Sequence, residues 1–516
     1  MTQEEISQAS REELIERVLI SEARREELEQ QLRWFKKQLF GSKSERRPSV
    51  SDDPSQLCLG EMADAQPAET KAAVDTVRAH QRRKRTQCED SEEPGLRFDD
   101  SVPMKTIIVP SPDLEGLGED ELEQVTEKIT YRLAQEPASY VVLKIVRQVL
   151  KRKDTEEICC PPAPAAVLEK SYADVSLLAG LLIDKFGYHI PLYRQHQRMK
   201  AAGITVSRSS LSNWVHSSIG LLEPIYGAQL DSILRSNVLA MDETPIRAGR
   251  KSKGKMRRAF FWPIYGDQDE VAFPYAPSRA HGHAEEILGE WCGTLISDGY
   301  DAYDRYAARR QEVVHAQCWV HVRRGFVKAE DVEPERAAKA LALIRKLYKI
   351  EEEIRENKLE ESAKLAIRGE ESRVVVVEFF DWLEVELVES ALLPSNPFTK
   401  AARYAMKRRK DLEVFLTDPM VPLDTNHLER ALRVIPMGRK NWLFCWTEVG
   451  AEKVGQIQSL LTTCALHDVD PYTYLVDVLQ RIDSHPQSQV AELTPRLWKE
   501  KFASEPLRSP IHRLQI

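Results

Sequence analysis

Apolar residues recur at two different spacings along the chain, and the switches between them mark out its parts. From about Ser10 to Phe40 there is no Pro or Gly, and Leu14, Val18, Leu28, Leu32, Phe35 and Leu39 follow a 4-3 seam, with Ser21 and Arg25 at the seam positions between. This predicts one long helix over 1–47, either half of a coiled-coil dimer or packed on its own chain. Residues 48–100 are rich in Ser, Asp, Glu, Pro and Ala and predict a linker. Strand-like runs follow at Lys105–Pro110, Ile129–Leu133 and Tyr140–Leu150. They predict a small antiparallel sheet within 101–165, closed by Cys159-Cys-Pro-Pro. Helical spacing returns over Ser176–Phe186, from Pro191 to Ala202, and again from Ser207, an N-cap candidate, with Gly203 turning the chain between the last two. A helix, a short glycine turn and a helix opening on SRSSLSN is what a helix-turn-helix needs, here over 166–225; ordinary helical hairpins share the pattern.

The run Val238-Leu-Ala-Met-Asp-Glu-Thr-Pro245 then reads as a short buried strand ending in acid. Strands are expected at Ala259–Tyr265 and Glu270–Tyr275, a helix at His283–Trp291, and further strands at Gly293–Ile296 and Glu312–His315. Three strands in meander, a helix and a further strand is the order of a ribonuclease-H-like sheet, in which the first and fourth strands are neighbours. That would set Asp242 beside Asp298, which follows the fourth strand. Two carboxylates so close repel, and hard divalent cations such as Mg²⁺ or Mn²⁺ relieve them. Candidates for a third acid lie in Asp424-Thr-Asn-His-Leu-Glu-Arg-Ala-Leu-Arg433. On a helix Asn426, Glu429, Arg430 and Arg433 share a stripe, which would let Asn426 and Arg433 orient the Glu429 carboxylate. Ala337–Tyr348 and Ile350–Gly369 predict a helical insertion at about 328–395 within a domain of 226–445, and 446–516 forms a C-terminal helical element.

At 516 residues the chain exceeds one ordinary domain, and 42% hydrophobic with 30% charged residues suits a water-soluble protein. No apolar run approaches the ~20 residues that span a bilayer, and the acidic N-terminus lacks signal-peptide character, so a cytoplasmic protein without a membrane partner is expected. The formal charge of −8 argues against nucleic acid, but its distribution argues the other way. Arg247 to Arg258 holds seven basic residues and no acid, including Arg250, Lys251 and Lys253. Such a run is either a solvated face or a polyanion contact. Gly438-Arg439-Lys440-Asn-Trp442 is a second basic stretch, in which Trp442 is either a base-stacking platform or a core aromatic. His321 and Cys318 read as core positions rather than ligands.

MDETP, SDGYDAY, QCWVHVRR, NHLERALR and GRKNWLF, in this order, resemble the DDE transposases of the insertion-sequence sixty-six family of bacteria. The similarity extends to the leucine-rich helix ending in LFGSKSER and to a C-terminal VDPYTYLVDVL. It implies a catalytic triad and metal-ligand set of Asp242, Asp298 and Glu429, two Mg²⁺ or Mn²⁺ ions per site, and cleavage and strand transfer at insertion-sequence ends. Double-stranded DNA would be the partner, contacted by Arg208, Ser210 and Asn213, by the basic loop, and by Arg439, Lys440 and Trp442. A homo-oligomer follows from bringing two ends together, and helper proteins of the same element are possible partners. Family members typically carry a zinc unit of paired C-x-x-C motifs, whereas this chain offers only Cys88 and the adjacent Cys159 and Cys160 there, so no zinc is expected. The whole is a multidomain α+β chain. The rival readings are a DNA-binding protein with an inactive ribonuclease-H-like domain and a phosphoesterase of small substrates.

Overall fold

The computed structural model describes residues 96–100, 102–109, 122–136, 139–153, 155–252, 255–389, 392–442, 445 and 447–513. The leucine-rich helix, nearly all of the linker, and Lys253 lie outside the described residues. The architecture is mixed helix and sheet, of the α+β kind.

The first sheet is built on a long hairpin, Leu122–Glu136 with Ser139–Arg152, antiparallel and bulged between Gln124 and Thr126. It is mixed rather than antiparallel throughout as expected, because Met104–Val109 docks on the far edge of the second hairpin strand and so runs parallel to it. That second strand is buried on both faces. Val142 and Tyr140 join the main core, while Val141 and Leu143 pack with Ile511 from the other end of the chain. Ile158–Cys159 pairs with its end, leaving Cys159 and Cys160 half-buried.

Three helices follow: α1 (Val175–Leu182), α2 (Leu192–Ala201) and α3 (Arg208–Leu221). Asp174 caps α1 by accepting from the Ser176 N–H at 2.9 Å, and Ser207 caps α3 by accepting from the Ser210 N–H at 3.0 Å. Pro191 stands one position before α2, at its N-cap. Gly203, with φ +78°, makes the α2–α3 turn, and a Cβ there would collide with the Asp99 carboxyl. These helices do not form a free-standing unit. They share a core with the C-terminal helix α7 (Glu448–Leu466), whose Gln458 Nε2 donates to Phe186 O at 2.9 Å and whose Lys453 Nζ donates to His216 O at 2.8 Å.

A five-stranded sheet forms the centre: β1 (Val238–Met241), β2 (Ile264–Tyr265), β3 (Val271–Ala272), β4 (Gly293–Ser297) and β5 (Val313–Gln317). Its order is β3-β2-β1-β4-β5, with β1, β4 and β5 parallel and β2 antiparallel to both of its neighbours, β1 and β3. The two middle strands expected from the sequence are each cut in two, at Trp262-Pro263 and Phe273-Pro274. Proline donates no ladder hydrogen bond, and the chain changes sheet there. Their other halves, Lys255–Phe261 and Tyr275–Ala276, join Thr244–Ser252 in a separate three-stranded sheet. The basic run is therefore the arm of a hairpin, not a loop.

After β5 comes α4 (Trp319–Val327), then the expected helical insertion. Its first helix runs unbroken over Pro334–Glu356, because Leu347, Ile350 and Ile354 continue one buried stripe, and the break falls near Lys358 with φ 48°. The insertion packs Phe379 and Phe380 against Trp319 at 5.4 and 6.1 Å between ring centroids. The chain then returns through α5 (Asn426–Leu432) and α6 (Val434–Trp442). No helix among the described residues is long and apolar enough to cross a membrane.

Candidate active site

Asp242 and Asp298 are set by strand register. Ala240 on β1 pairs with Ile296 on β4, and each aspartate lies two residues beyond its partnered position, so the two emerge side by side at the same sheet edge. Neighbouring strands stand about 4.8 Å apart. Asp242 Oδ1 accepts from the Glu243 N–H at 2.7 Å, and Asp298 Oδ1 accepts from the Tyr300 N–H at 2.9 Å, which fixes both carboxyl planes.

Glu243 is the residue that sequence reasoning missed. Its ligand oxygen lies within 4.8 Å of those of Asp242 and Asp298. Alternation along an ideal strand would send adjacent residues to opposite faces, but the chain turns between Met241 and Thr244 and brings both acids to one place. The Tyr303 hydroxyl donates to Glu243 at 2.9 Å, and Arg279 forms an ion pair with it while stacking on Tyr300 at 3.8 Å. Burial pushes the Asp242 carboxyl up to about 6; the Asp298 and Glu429 charges add to this, while the Glu243 N–H and Arg324 oppose it. Burial likewise pushes Glu243 up to about 7, with Asp298 and Asp242 adding and Arg279 and Tyr303 opposing.

Glu429 comes from α5, at the rim of the same cleft. The segment before α5 is stitched to α4: Thr425 N and Oγ1 both donate to Cys318 Sγ at 3.3 Å, and Trp319 N donates to Leu423 O at 3.1 Å. Cys318 is thus a satisfied core residue. The stitching brings α4 against Glu429, which pairs with Arg324 and has His321 Nε2 4.0 Å from its Oε1. That Oε1 is buried and has no hydrogen-bond partner among the described residues. Burial holds the His321 imidazolium below its usual range, which favours the neutral ring. Glu429 lies outside the tight group of Asp242, Glu243 and Asp298, yet near enough to raise Asp242.

Of the two residues expected to orient Glu429, Asn426 is engaged with Asp424. Asn426 Nδ2 donates to Asp424 at 2.6 Å, as does its backbone N–H at 2.8 Å, and Arg433 is exposed at the C-terminal end of α5. Helical spacing aligned them with Glu429, but contact with α4 decides its carboxylate. Glu448 opens α7, where Thr447 Oγ1 accepts from the Gly450 N–H at 3.0 Å.

The comparisons with known proteins bear on this cleft directly. Residues 170–453 match the model described as Transposase IS66 family, a span that contains both aspartates and Glu429. The chain belongs to that family. Residues 459–496 match the IS66 C-terminal element, and residues 27–90 match a region described as Transposase C of IS166 homeodomain. The chain is 30% identical over 500 residues to Uncharacterized protein y4hP of Sinorhizobium fredii, covering 92% of this chain and 89% of the relative. It is 27% identical over 495 residues to Uncharacterized protein y4jD of the same organism, covering 92% and 94%. The homeodomain match overlaps both the leucine-rich segment and the linker, outside the described residues.

Within this IS66 chain the basic side chains divide into exposed and inward-turned ones. Arg247, Arg250 and Lys251 are exposed on the hairpin that begins at Thr244, immediately after the acids. Arg247 pairs across the hairpin with Arg258, and Cys445 extends its edge beside Ala248. Gly249, with φ +68°, allows the bulge there and the close approach of Glu448. Like charges directly opposite each other destabilise a sheet, which makes this hairpin suited to a polyanion. Lys440 is exposed, but Arg439 is turned onto Pro245 O, bracing the hairpin. Trp442 is buried against Gly438 and is a core aromatic, not a stacking platform. On α3, Asn213 is exposed, whereas Arg208 is half-buried and Ser210 Oγ lies 2.9 Å from Ser207 Oγ within the cap.

Proposed function

We propose that this chain cuts and rejoins DNA strands at the ends of its insertion sequence, using a ribonuclease-H-like domain with Asp242, Asp298 and Glu429 as its acidic triad. The observation that carries the reading is the register of β1 and β4, which delivers Asp242 and Asp298 together at one sheet edge with Glu429 close by. The strand order β3-β2-β1-β4-β5 supports the fold assignment, since the parallel centre and antiparallel flank are those expected of a ribonuclease-H-like sheet.

The donor set fits hard divalent cations. Three carboxylates converge, two are pushed up by burial and mutual repulsion, and a fourth, Glu429, keeps one buried oxygen without a partner. Asp242, Asp298 and Glu429 would hold two Mg²⁺ or Mn²⁺ ions, which when bound supply the Lewis acidity for an in-line phosphodiester displacement. The protein's own groups do the rest. Glu243, locked by Arg279 and Tyr303, shapes the floor of the cleft and adds negative charge next to Asp242. Arg324 balances Glu429, and the Arg247–Lys251 arm binds DNA phosphates beside the cleft. The α3 face around Asn213 and the homeodomain-like segment 27–90 are two further DNA contacts. A cytoplasmic homo-oligomer working on double-stranded DNA, with helper proteins of the same element as possible partners, follows from this role.

A labelled duplex carrying the element's terminal repeat tests the reading. With Mg²⁺ the protein should nick it at the repeat boundary, and Asp242→Asn should shift the duplex without cutting it. Equal cutting by both, or binding without any cutting by the unaltered chain, would sink it; the latter would favour the inactive DNA-binding protein.

A further inference from the structure

One strand away from Asp298, a second group of potential ligands stands outside the cleft. His315 on β5 has its Nδ1 3.1 Å from Asp304 Oδ1 of helix Asp301–Ala308. Asp411, from the short helix Arg409–Leu412, completes the group, and the three ligand atoms all lie within 4.8 Å of one another. Only 8% of the His315 side chain is exposed. One Nδ1 proton would satisfy one carboxylate, but two are present. Three basic side chains stand near them and offset part of their charge. Lys407 and Lys410 are exposed to solvent, and Arg408 is engaged with Gly299 O at 3.0 Å and with the Tyr404 ring at 4.0 Å.

A second buried polar group lies on the other side of the ring. Gln317 is 3% exposed, and its amide lies against the His315 ring, with Nε2 3.4 Å from the ring Nε2. Its buried Oε1 has no partner among the described residues. The far side of the imidazole is fixed as well. His315 Nε2 is 2.8 Å from Ser297 Oγ, and that hydroxyl donates to the Asp298 carbonyl at 3.0 Å. A hydroxyl has one proton, so a Ser297 that donates to Asp298 accepts from His315 in the Nε2–H tautomer, the one whose Nδ1 lone pair faces the carboxylates; the Nδ1–H tautomer instead donates to Asp304. Two ligands of one tetrahedral ion bound at about 2.0–2.1 Å stand roughly 3.3 Å apart, close to the separation seen between His315 Nδ1 and Asp304.

We infer that His315, Asp304 and Asp411 form a binding site for a zinc-like dication, separate from the Asp242–Asp298 cleft. One nitrogen and two carboxylate oxygens suit Zn²⁺ better than Mg²⁺. The missing cysteine pairs bear on a thiolate site elsewhere in the chain and not on this one. An ion here ties β5 to two helices and, through Ser297, steadies the backbone of Asp298.

The test uses the full chain carrying Asp242→Asn and Glu429→Gln, so that the cleft is disabled and its own fate does not enter. After stripping with chelator, Zn²⁺ is added, excess is removed by gel filtration, and bound metal is counted by elemental analysis. Co²⁺ absorption reports the ligand field. One retained equivalent is expected, lost when His315→Ala is added. Asp411→Asn, a nearly isosteric change at a half-buried position, should weaken Zn²⁺ binding at least tenfold while leaving the circular dichroism unchanged. Zinc retained equally after His315→Ala, binding unmoved by Asp411→Asn, or no zinc at all would overturn the inference. The last result would leave His315 as a hydrogen-bonded link between Asp304 and Ser297.

Discussion

Removing one charge from the cleft should stabilise the protein when no metal is present. The perturbation is Asp242→Asn, which keeps an oxygen able to accept the Glu243 N–H and removes the buried anion. The carboxyl is raised from its ordinary 3.8 to about 6, roughly 2 pH units, and each unit corresponds to about 1.4 kcal/mol. A raised acid means that the native state holds more protons than the unfolded chain between those two values. Stability contributed by this group is therefore full below about pH 4, falls as pH rises through about 6, and is flat above. Glu243, raised from 4.5 to about 7, extends the fall towards neutrality, and because the two acids interact their costs do not add. At pH 8 in chelator the Asn variant should be more stable by about 1–3 kcal/mol, and at pH 4.5 the gap should shrink to about a third of that. Denaturant titration at both pH values, followed by tryptophan fluorescence, measures it. Adding Mg²⁺ at pH 8 should then stabilise the unaltered chain and close the gap, since an ion bound only to the native state adds to its stability, by about 2.7 kcal/mol at a hundredfold excess over Kd. An Asn variant less stable than its parent at pH 8, or a gap equal at both pH values, would show that the carboxylates are not confronting one another.

Other outcomes follow from the same geometry. Glu429→Gln should keep DNA binding and lower strand cleavage by several orders of magnitude, while Asp424→Asn should mainly cost stability, on the order of 1 kcal/mol or less, because Asn can still accept at the start of α5; loss of cutting in Asp424→Asn with near-normal cutting in Glu429→Gln would move the site. Replacing Arg247, Arg250 and Lys251 together by Ser should weaken binding to all duplexes alike and reduce the slope of log affinity against log salt by about 2–3, and an unchanged slope would clear the hairpin of phosphate contact. Removal of the first 40 residues should lower the sedimentation coefficient by more than the lost mass explains if the leucine seam mediates self-association; identical monomeric behaviour of both proteins would end that idea.

The parts of the site that were legible in the sequence are those fixed by short-range pattern. An apolar run ending in acid signals a strand with its terminal residue at a sheet edge, and two such runs, before Asp242 and before Asp298, signalled the pair. The turn glycine at Gly203 and the cap at Ser207 were legible for the same reason, since each acts within a few residues of itself. What was hidden depends on chain segments that meet late. Two prolines divide the middle strands between two sheets, which turns the basic run into a hairpin arm, and only pairing with Cys445 shows where that arm is anchored. The neighbours of Glu429 were hidden for the same reason. Helical periodicity put Asn426 and Arg433 on its stripe, but a side chain on a packed helix answers to the helix facing it. Here that is α4, about a hundred residues earlier, held in place by the Cys318–Thr425 contacts. The arrangement has a chemical consequence. Arg324 takes up part of the Glu429 charge, so Glu429 is drawn away from the tight acidic group and towards α4. Replacing Arg324 by Met should release it, strengthening divalent-cation affinity at the cleft. Isothermal titration with Mn²⁺ reads the effect, and unchanged affinity would mean that Arg324 does not compete for the carboxylate.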